Sequence, residues 1–401
     1  MAHTSHITVP GGFVAAGVHC GIKTTEQEDL MVLAARRDAA VAMITTRNQI
    51  VGAPVVWNRS VLPRGHGRAR AIVANSGNSN VCTGKAGLKD AEAMAAMTAR
   101  HLGCDARKVL VASTGIIGQR LEMAKVRAGI AGACSRLGRR GDGAALRGIM
   151  TTDTREKSAV VQARIAGARV TVAGIAKGAG MIAPSMATMI SLITTDAALT
   201  PAALHKALLA AAERSFNAIT IDSDTSTSDT VALFASGAAG GRAISARSPA
   251  LATFARALGE VCGELARAMV LDGEGATKLV EIAVCGARSD AEAKIAAKSV
   301  ADSPLVKTAI HGGDPNWGRI AAALGKSSAR VVAEKLRIRI GGAAVFSRGM
   351  GRAFDVRAVE KHLAGTDVRI DCDLGLGTGR FRALTCDLSR EYITINADYH
   401  T

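Results

Sequence analysis

The stretch KGAGMIAPSMATMISLITTDA, from Lys177 to Ala197, holds the residue types of an N-terminal nucleophile. A small residue precedes a threonine, Ala187-Thr188, where a loop enters a β-rich run. Gly178, Gly180 and Pro184 bar a regular helix through the loop, and MISLITT after it reads as a strand. Cutting the bond between Ala187 and Thr188 would give Thr188 a free α-amine beside its own hydroxyl, a nucleophile with a built-in base. Such an amine has a pKa of roughly 7.7–8.0, close to what a general base needs at neutral pH. Ala-Thr pairs are common, however, and the dipeptide alone reads first as a turn before a buried strand.

Other segments carry partial signals. VASTGIIG, Val111 to Gly118, is a strand end followed by Thr114-Gly115. A sharp turn there would aim the Gly115 N–H, and the Thr114 hydroxyl, at a developing oxyanion. Its bland alternative is a strand-to-helix turn with a threonine cap. IMTTDT clusters hydroxyls around Thr151. DGEGATK sets Glu274 between glycines, where a carboxylate can meet a substrate ammonium or simply decorate a surface turn. GGDPNWGR is turn chemistry around one of two tryptophans. GLGTG at 375–379 opens no helix in a βαβ unit, which excludes a dinucleotide fingerprint. DSDTSTSDT, Asp222 to Thr230, lacks the spacing and closing glutamate of a calcium loop. The histidines and the eight scattered cysteines form no metal-ligand pattern, so free thiols and no metal are expected.

These residues need elements to hold them. The 401 residues leave room for two or three domains, and 48% hydrophobic content with only 3% aromatic calls for a core of small and β-branched aliphatics. AIVANSG at 71–77, KVLVAST at 108–114, ARVTVAGIAK before the nucleophile loop and LVEIAVCGA at 279–287 read as buried strands. LKDAEAMAAMTARHLG at 88–103 reads as a helix. Thr200-Pro201 and Ser303-Pro304 open further helices, and DAEAKIAAKSVA is another. The remainder reads as strand-rich, down to VVAEKLRIRIGGAAV and EYITINADYHT. The pattern predicts a layered α/β (α+β) sandwich. The domain boundary falls near residue 286, giving a catalytic domain over 1–286 and a smaller C-terminal α/β domain over 287–401.

The net charge of +16 is spread along the chain. Two tryptophans and two tyrosines leave few platforms for stacking bases, so the charge reads as a solvated surface or a field for anionic metabolites, with no nucleic-acid partner. The uncharged run from Gly178 to Thr195 is interrupted by glycine, proline and hydroxyl residues and reads as buried core, with no membrane contact. MAHTSHITVPGGF lacks the basic start and apolar core of a signal peptide, so a cytoplasmic protein is expected.

Taken in order, the motifs converge. GGFVAAGVHCGIK, NSGNSNVCTG, STGIIG, IMTTDT, KGAGMI followed by MATM, FNAITIDSDTSTSDT, DGEGATK, GGDPNWGRI and INADYHT resemble the ornithine acetyltransferase family, bifunctional arginine-biosynthesis enzymes that recycle acetyl groups. The resemblance runs from about Thr8 to Thr401. It implies self-cleavage between Ala187 and Thr188 into an α chain, 1–187, and a β chain, 188–401. It makes Thr188 the acyl-accepting nucleophile and Thr114 with Gly115 the oxyanion hole. It places substrate contacts at Thr151, Lys177, Thr188, Glu274, Asn396 and Thr401, so the C-terminal tail returns to the active site. It further implies a fold similar to N-terminal nucleophile hydrolases and a glutamate N-acetyltransferase acting on N-acetylornithine and glutamate without a cofactor. Acetyl-CoA stays open as a second donor, and the α and β chains would form a hetero-oligomer such as α2β2. Ala179, Ala183, Ser185, Ser223 and Ser228 depart from the family's usual residues, which bears on cleavage rate and substrate preference. An acyl hydrolase on the same fold, an uncleaved binding protein and, least favoured, a nucleic-acid binder remain as alternatives.

Overall fold

A computed structural model of the chain describes residues 7–183 and 189–398; Ala187, Thr188 and Thr401 lie outside the described residues. The chain opens with β1 (Phe13–Val18) and the long β2 (Leu30–Thr45), then α1 (Ala53–Val61), β3 (His66–Asn75), α2 (Gly84–Leu102), β4 (Val109–Ser113), α3 (Met123–Ser135) and α4 (Asp142–Arg147). A second run holds β5 (Lys157–Ile165), β6 (Ala168–Lys177), β7 (Ile190–Thr195), α5 (Pro201–Glu213), β8 (Thr230–Ala235) and α6 (Ala250–Leu271). These eight strands form one sheet of order β4-β3-β2-β8-β7-β6-β5, with β1 also on β2.

Strand β2 shapes this sheet. Its first half pairs with β1 and its second half with β8, and its register against β3 shifts between Ala34 and Ala39. Side chains alternate along it, as a strand requires. Met31, Leu33 and Ala35 enter one core; Leu30, Val32 and Ala34 enter another. The first core joins β1–β4 to Ile175 of β6, Ile190 and Leu192 of β7, and Ala232 and Phe234 of β8. The short α4 contributes Ala145 and Leu146 to it, and Val61 at the end of α1 packs against it. Helices α1–α3 cover one outer face, and α5 and α6 cover the other. The result is the layered α/β sandwich expected from the sequence. Helix α5 starts as read: Pro201 is in its first turn and the Thr200 hydroxyl accepts the Ala203 N–H.

The rest of the chain builds a second sheet: β9 (Leu279–Ala287), α7 (Asp290–Ala301), α8 (Pro304–His311), α9 (Trp317–Gly325), β10 (Arg337–Ile340), β11 (Ala343–Ser347), β12 (Met350–Gly351), α10 (Val356–Leu363), β13 (Asp367–Asp373), β14 (Gly379–Cys386) and α11 (Arg390–Asp398). Its order is β12-β11-β10-β13-β9-β14, around a separate core.

Two features differ from the sequence reading. Strand β9 lies in the second sheet, so the sheets part between Leu271 and Leu279, ahead of residue 286. An apolar run shows that a strand is buried; its pairing partners, here β13 and β14, are set by tertiary structure. The described part of EYITINADYHT is helix α11 and not strand, despite its β-branched residues. Its start is tied down by the Ser389 hydroxyl, which donates to the Gly275 carbonyl at 2.6 Å. Here tertiary anchoring overrides weak local propensity.

Candidate active site

One cleft brings together Thr114, Gly115, Thr151, Lys177, Glu274 and Asn396 from five separate segments. Six of the residues singled out in the sequence thus meet. Ala187, Thr188 and Thr401 fall outside the described residues. The GGDPNWGR and GLGTG motifs do not line the cleft; Trp317 instead packs tilted against Phe346 beside the second sheet's core, with ring centroids 5.3 Å apart.

The Thr114-Gly115 turn follows β4. Thr114 is 1% exposed, and its N–H donates to the Asn75 carbonyl at 3.0 Å. The Ser113 hydroxyl donates to Asn75 Oδ1 at 2.6 Å, and Asn75 Nδ2 donates to the Asn78 carbonyl at 2.8 Å. The NSGNSN segment is therefore the mould for the turn. Gly115 has φ +124°, and a Cβ there would stand 2.4 Å from the Gly77 carbonyl carbon. Only glycine fits.

Lys177 ends β6 and is 2% exposed. Its Nζ stands 3.5 Å from Thr114 Oγ1 and 4.0 Å from Asp153 Oδ2. Burial pulls its pKa down; Asp153, Glu274 and Asp229 pull the other way. Asp153 is a residue that sequence reasoning passed over inside IMTTDT. Its Oδ1 accepts the Gly178 N–H and the Lys157 ammonium, each at 2.6 Å, and its Oδ2 accepts the Thr151 N–H at 3.0 Å. Burial alone would raise the Asp153 pKa, but the Lys177 and Lys157 ammoniums override it and hold the group at about 2. Lys157 also pairs with Asp272 at 2.5 Å, and Asp272 accepts the Thr154 N–H and hydroxyl. Two buried cations and two buried anions thus lock the end of β6, the 151–157 turn and the start of the Glu274 loop into one unit.

Glu274 faces the cleft from that loop. Its N–H donates to the Ala179 carbonyl at 2.9 Å, and its Oε2 accepts from Asn396 Nδ2 of α11 at 2.8 Å. A Cβ on Gly180 would fall 2.4 Å from Glu274 Oε2, so a residue without a side chain is what lets the carboxylate in.

The DSDTSTSDT motif also has its role here, although its sequence suggested only an imperfect calcium loop. Asp222 accepts the Met181 and Ile182 N–H groups at 2.6 and 2.8 Å, and the Tyr392 hydroxyl at 3.3 Å. Met181 adopts a left-handed backbone with φ +52°, a conformation costly for a side-chain-bearing residue. The Asp222 carboxyl holds it there. Burial raises the pKa of Asp222, and burial with the nearby Asp222 and Glu274 carboxylates raises that of Tyr392. Among the described residues, no group of three or more His, Cys, Asp and Glu side chains could hold a metal ion. No described helix is long and apolar enough to cross a membrane.

The cleft thus holds a glycine turn with a buried ammonium beside it and the carboxylate of Glu274 in its lining. Comparison with known proteins identifies the family. The model of the ArgJ family matches residues 14–401. The arginine biosynthesis bifunctional protein ArgJ of Chlorobaculum tepidum is 43% identical over 392 residues, 98% of this chain and 96% of that protein. The protein of the same description from Bacillus subtilis is 40% identical over 398 residues, 99% of this chain and 97% of that one. The crystal structure of arginine biosynthesis bifunctional protein argJ from Bacillus halodurans is 41% identical, with a TM-score of 0.50, and covers 51% of this chain and 97% of that chain.

Proposed function

The chain belongs to the ArgJ family, and from that premise we infer that it transfers the acetyl group of N-acetylornithine to glutamate through an acetyl ester on Thr188. The observation that carries the reading is the cleft itself. It gathers Thr114, Gly115, Thr151, Lys177, Glu274 and Asn396 at the end of β6, the strand that feeds the loop running to Ala187 and Thr188.

Thr188 first attacks the Ala187 carbonyl. The resulting ester is hydrolysed, leaving chains 1–187 and 188–401 and a free α-amine on Thr188. The Bacillus halodurans crystal structure supports this step: a chain almost wholly matched by half of the present one has the length expected for one product of a mid-chain cut. In turnover the Thr188 hydroxyl attacks the acetyl carbonyl, and its own α-amine takes the hydroxyl proton. Thr114 and Gly115 hold the oxyanion, with the Lys177 ammonium beside them. The C–N bond then breaks, the proton passes to the departing α-nitrogen, and ornithine leaves. The α-amine of glutamate attacks the ester, returns a proton to Thr188 by the same route, and departs as N-acetylglutamate. A ping-pong rate law follows.

Substrate charges match the walls. Lys177 suits a carboxylate, and Glu274, fixed by Asn396, suits an ammonium. Thr151 and Thr401 complete the contacts. The reaction needs no cofactor, and acetyl-CoA would enter as an alternative donor to the same threonine. The two chains of each unit would assemble further, as α2β2, in the cytoplasm.

The test is intact mass joined to product analysis. Purified protein should give two chains, while Thr188→Ala stays as one and is inactive. Ornithine and N-acetylglutamate should appear in equal amounts from N-acetylornithine and glutamate. An active wild type that remains one chain overturns the nucleophile; ornithine release with free acetate, independent of glutamate, replaces transfer by hydrolysis.

A further inference from the structure

Asp229 is a buried acid to which the mechanism above assigns no task. It is 0% exposed and precedes β8. Strands β7 and β8 begin their parallel pairing at Ile190 and Thr230, so Met189 and Asp229 stand one residue ahead of the first rung. Both backbone polar groups of Met189 are nonetheless held. Its N–H donates to Asp229 Oδ1 at 3.0 Å, and its carbonyl accepts the Thr230 N–H at 3.0 Å. Asp229 in turn is set by its own carbonyl, which accepts the Thr46 N–H of β2's end at 3.1 Å. Met189 follows Thr188 directly in the sequence.

From this geometry we propose that Asp229 is a positioning residue for acyl transfer: by fixing the Met189 amide, its carboxyl fixes the backbone from which the Thr188 hydroxyl and α-amine project. The proposal rests on the reading of Thr188 as nucleophile.

Several observations favour a functional over a purely structural acid. A strand start needs no buried carboxyl; a ladder hydrogen bond or a small hydroxyl would satisfy one N–H without removing an acid from water. Among the described residues Asp229 Oδ2 has no hydrogen-bond partner, although it is fully buried. The Thr46 hydroxyl donates to the Ser226 carbonyl, and the Ser226 hydroxyl, which accepts the Ser228 N–H, favours the charged form of Asp229. A fully buried carboxyl with so few donors is costly and needs a reason. Burial pushes the carboxyl well above its ordinary pKa, against the Met189 N–H and the Lys177 ammonium. The same loop places Asp222 on the Met181 and Ile182 amides. One loop thus supplies a carboxyl on each side of the 184–188 segment, and Asp229 serves the side that keeps the nucleophile after cleavage.

The test compares three variants with wild type: Asp229→Ala, Asp229→Leu and Asp229→Asn. Ala and Leu remove the acceptor, Leu while keeping most of the volume; Asn keeps an acceptor for the Met189 N–H. Self-cleavage is followed by intact mass, and steady-state kinetics are measured on fully cleaved material. Ala and Leu should slow cleavage and lower kcat more than tenfold with KM for N-acetylornithine little changed, and Asn should recover most of both rates. If Ala fails to fold, Leu decides. Wild-type rates in Ala or Leu, an Asn variant as slow as they are, or a rise in KM with kcat intact each overturns the proposal. Wild type run alongside separates the two readings. If wild type is active as one chain, the nucleophile falls and this role with it. If wild type cleaves and the Asp229 variants match it, only the role of Asp229 falls.

Discussion

At the scale of single residues the proposed mechanism separates two kinds of contribution, one to any tetrahedral intermediate and one to a particular substrate. Gly115 belongs to the first. A methyl there would sit 2.4 Å from the Gly77 carbonyl carbon and 2.6 Å from the Asn78 nitrogen, at a φ of +124°. The turn must move, and with it the oxyanion donors. Self-cleavage and turnover both pass through a tetrahedral oxyanion, so Gly115→Ala should slow both by about 10²–10³, the usual effect of losing one such donor. Glu274 belongs to the second kind. Cleavage uses the chain's own carbonyl and no ammonium, so Glu274→Gln should still give two chains. Its kcat/KM for N-acetylornithine should fall more than tenfold, as removal of one partner from a desolvated charge pair costs about 2–5 kcal/mol. A cleavage gel and a steady-state assay on the two variants check the contrast. Cleavage at the wild-type rate in Gly115→Ala would place the oxyanion hole elsewhere, and unchanged kinetics in Glu274→Gln would remove Glu274 from substrate binding.

At the scale of elements, what holds the site is a cluster of charges that the sequence hardly announces. Strands β4, β6 and β7 were legible because alternation and β-branched runs are local signals, whereas β8 was not read from the sequence. Glycines at 115 and 180 stood out because their neighbours in sequence already had chemical meaning. Asp153, Lys157 and Asp272 carry no such mark: they come from the 151–157 segment and the end of α6, and only the fold brings them together. The helix α11 was misread for a related reason, since its stability comes from contacts with the Gly275 loop and not from its own residues. The cluster makes its own prediction. Lys157→Met keeps the volume but leaves Asp153 and Asp272 with fewer cations, and breaking one partner of a buried pair costs about 3–5 kcal/mol. The acid limb should shift as well. The Asp153 pKa is depressed in the fold, to about 2 from an ordinary 3.8. Its stabilisation is therefore complete above roughly pH 4 and is lost as pH falls through about 2. Without Lys157 the folded pKa rises, and the loss should begin at higher pH. Urea unfolding of wild type and variant from pH 6 to pH 2 reads both effects; equal midpoints would show that the cluster does not stabilise the fold.

At the scale of the whole molecule, helix α11, which follows the second sheet, lines a cleft otherwise formed by residues ahead of that sheet. Helix α11 carries no buried residue, so it adds little to either core. It nevertheless places Asn396 on Glu274 and Tyr392 on Asp222, residues of the first sheet's loops. The two domains are joined independently of it. The Thr220 N–H donates to the Leu384 carbonyl of β14 at 3.0 Å, and the Thr220 hydroxyl donates to Asp302 at 2.6 Å. Removing residues 390–401 should therefore leave both domains folded and docked. It should also leave cleavage intact, because the oxyanion turn, the charge cluster and the Asp222 and Asp229 amide contacts all lie upstream. What should suffer is substrate recognition: Glu274 loses the amide that orients it, and the cleft loses one wall. The truncated protein is expected to yield two chains at the wild-type rate, one of them shorter at its C-terminus, with KM for N-acetylornithine raised about tenfold or more, the effect of about 1.4 kcal/mol. Intact mass and steady-state kinetics decide. A truncated protein that fails to cleave would make α11 part of the processing machinery, and one with unchanged KM would show that Asn396 does not act on the substrate.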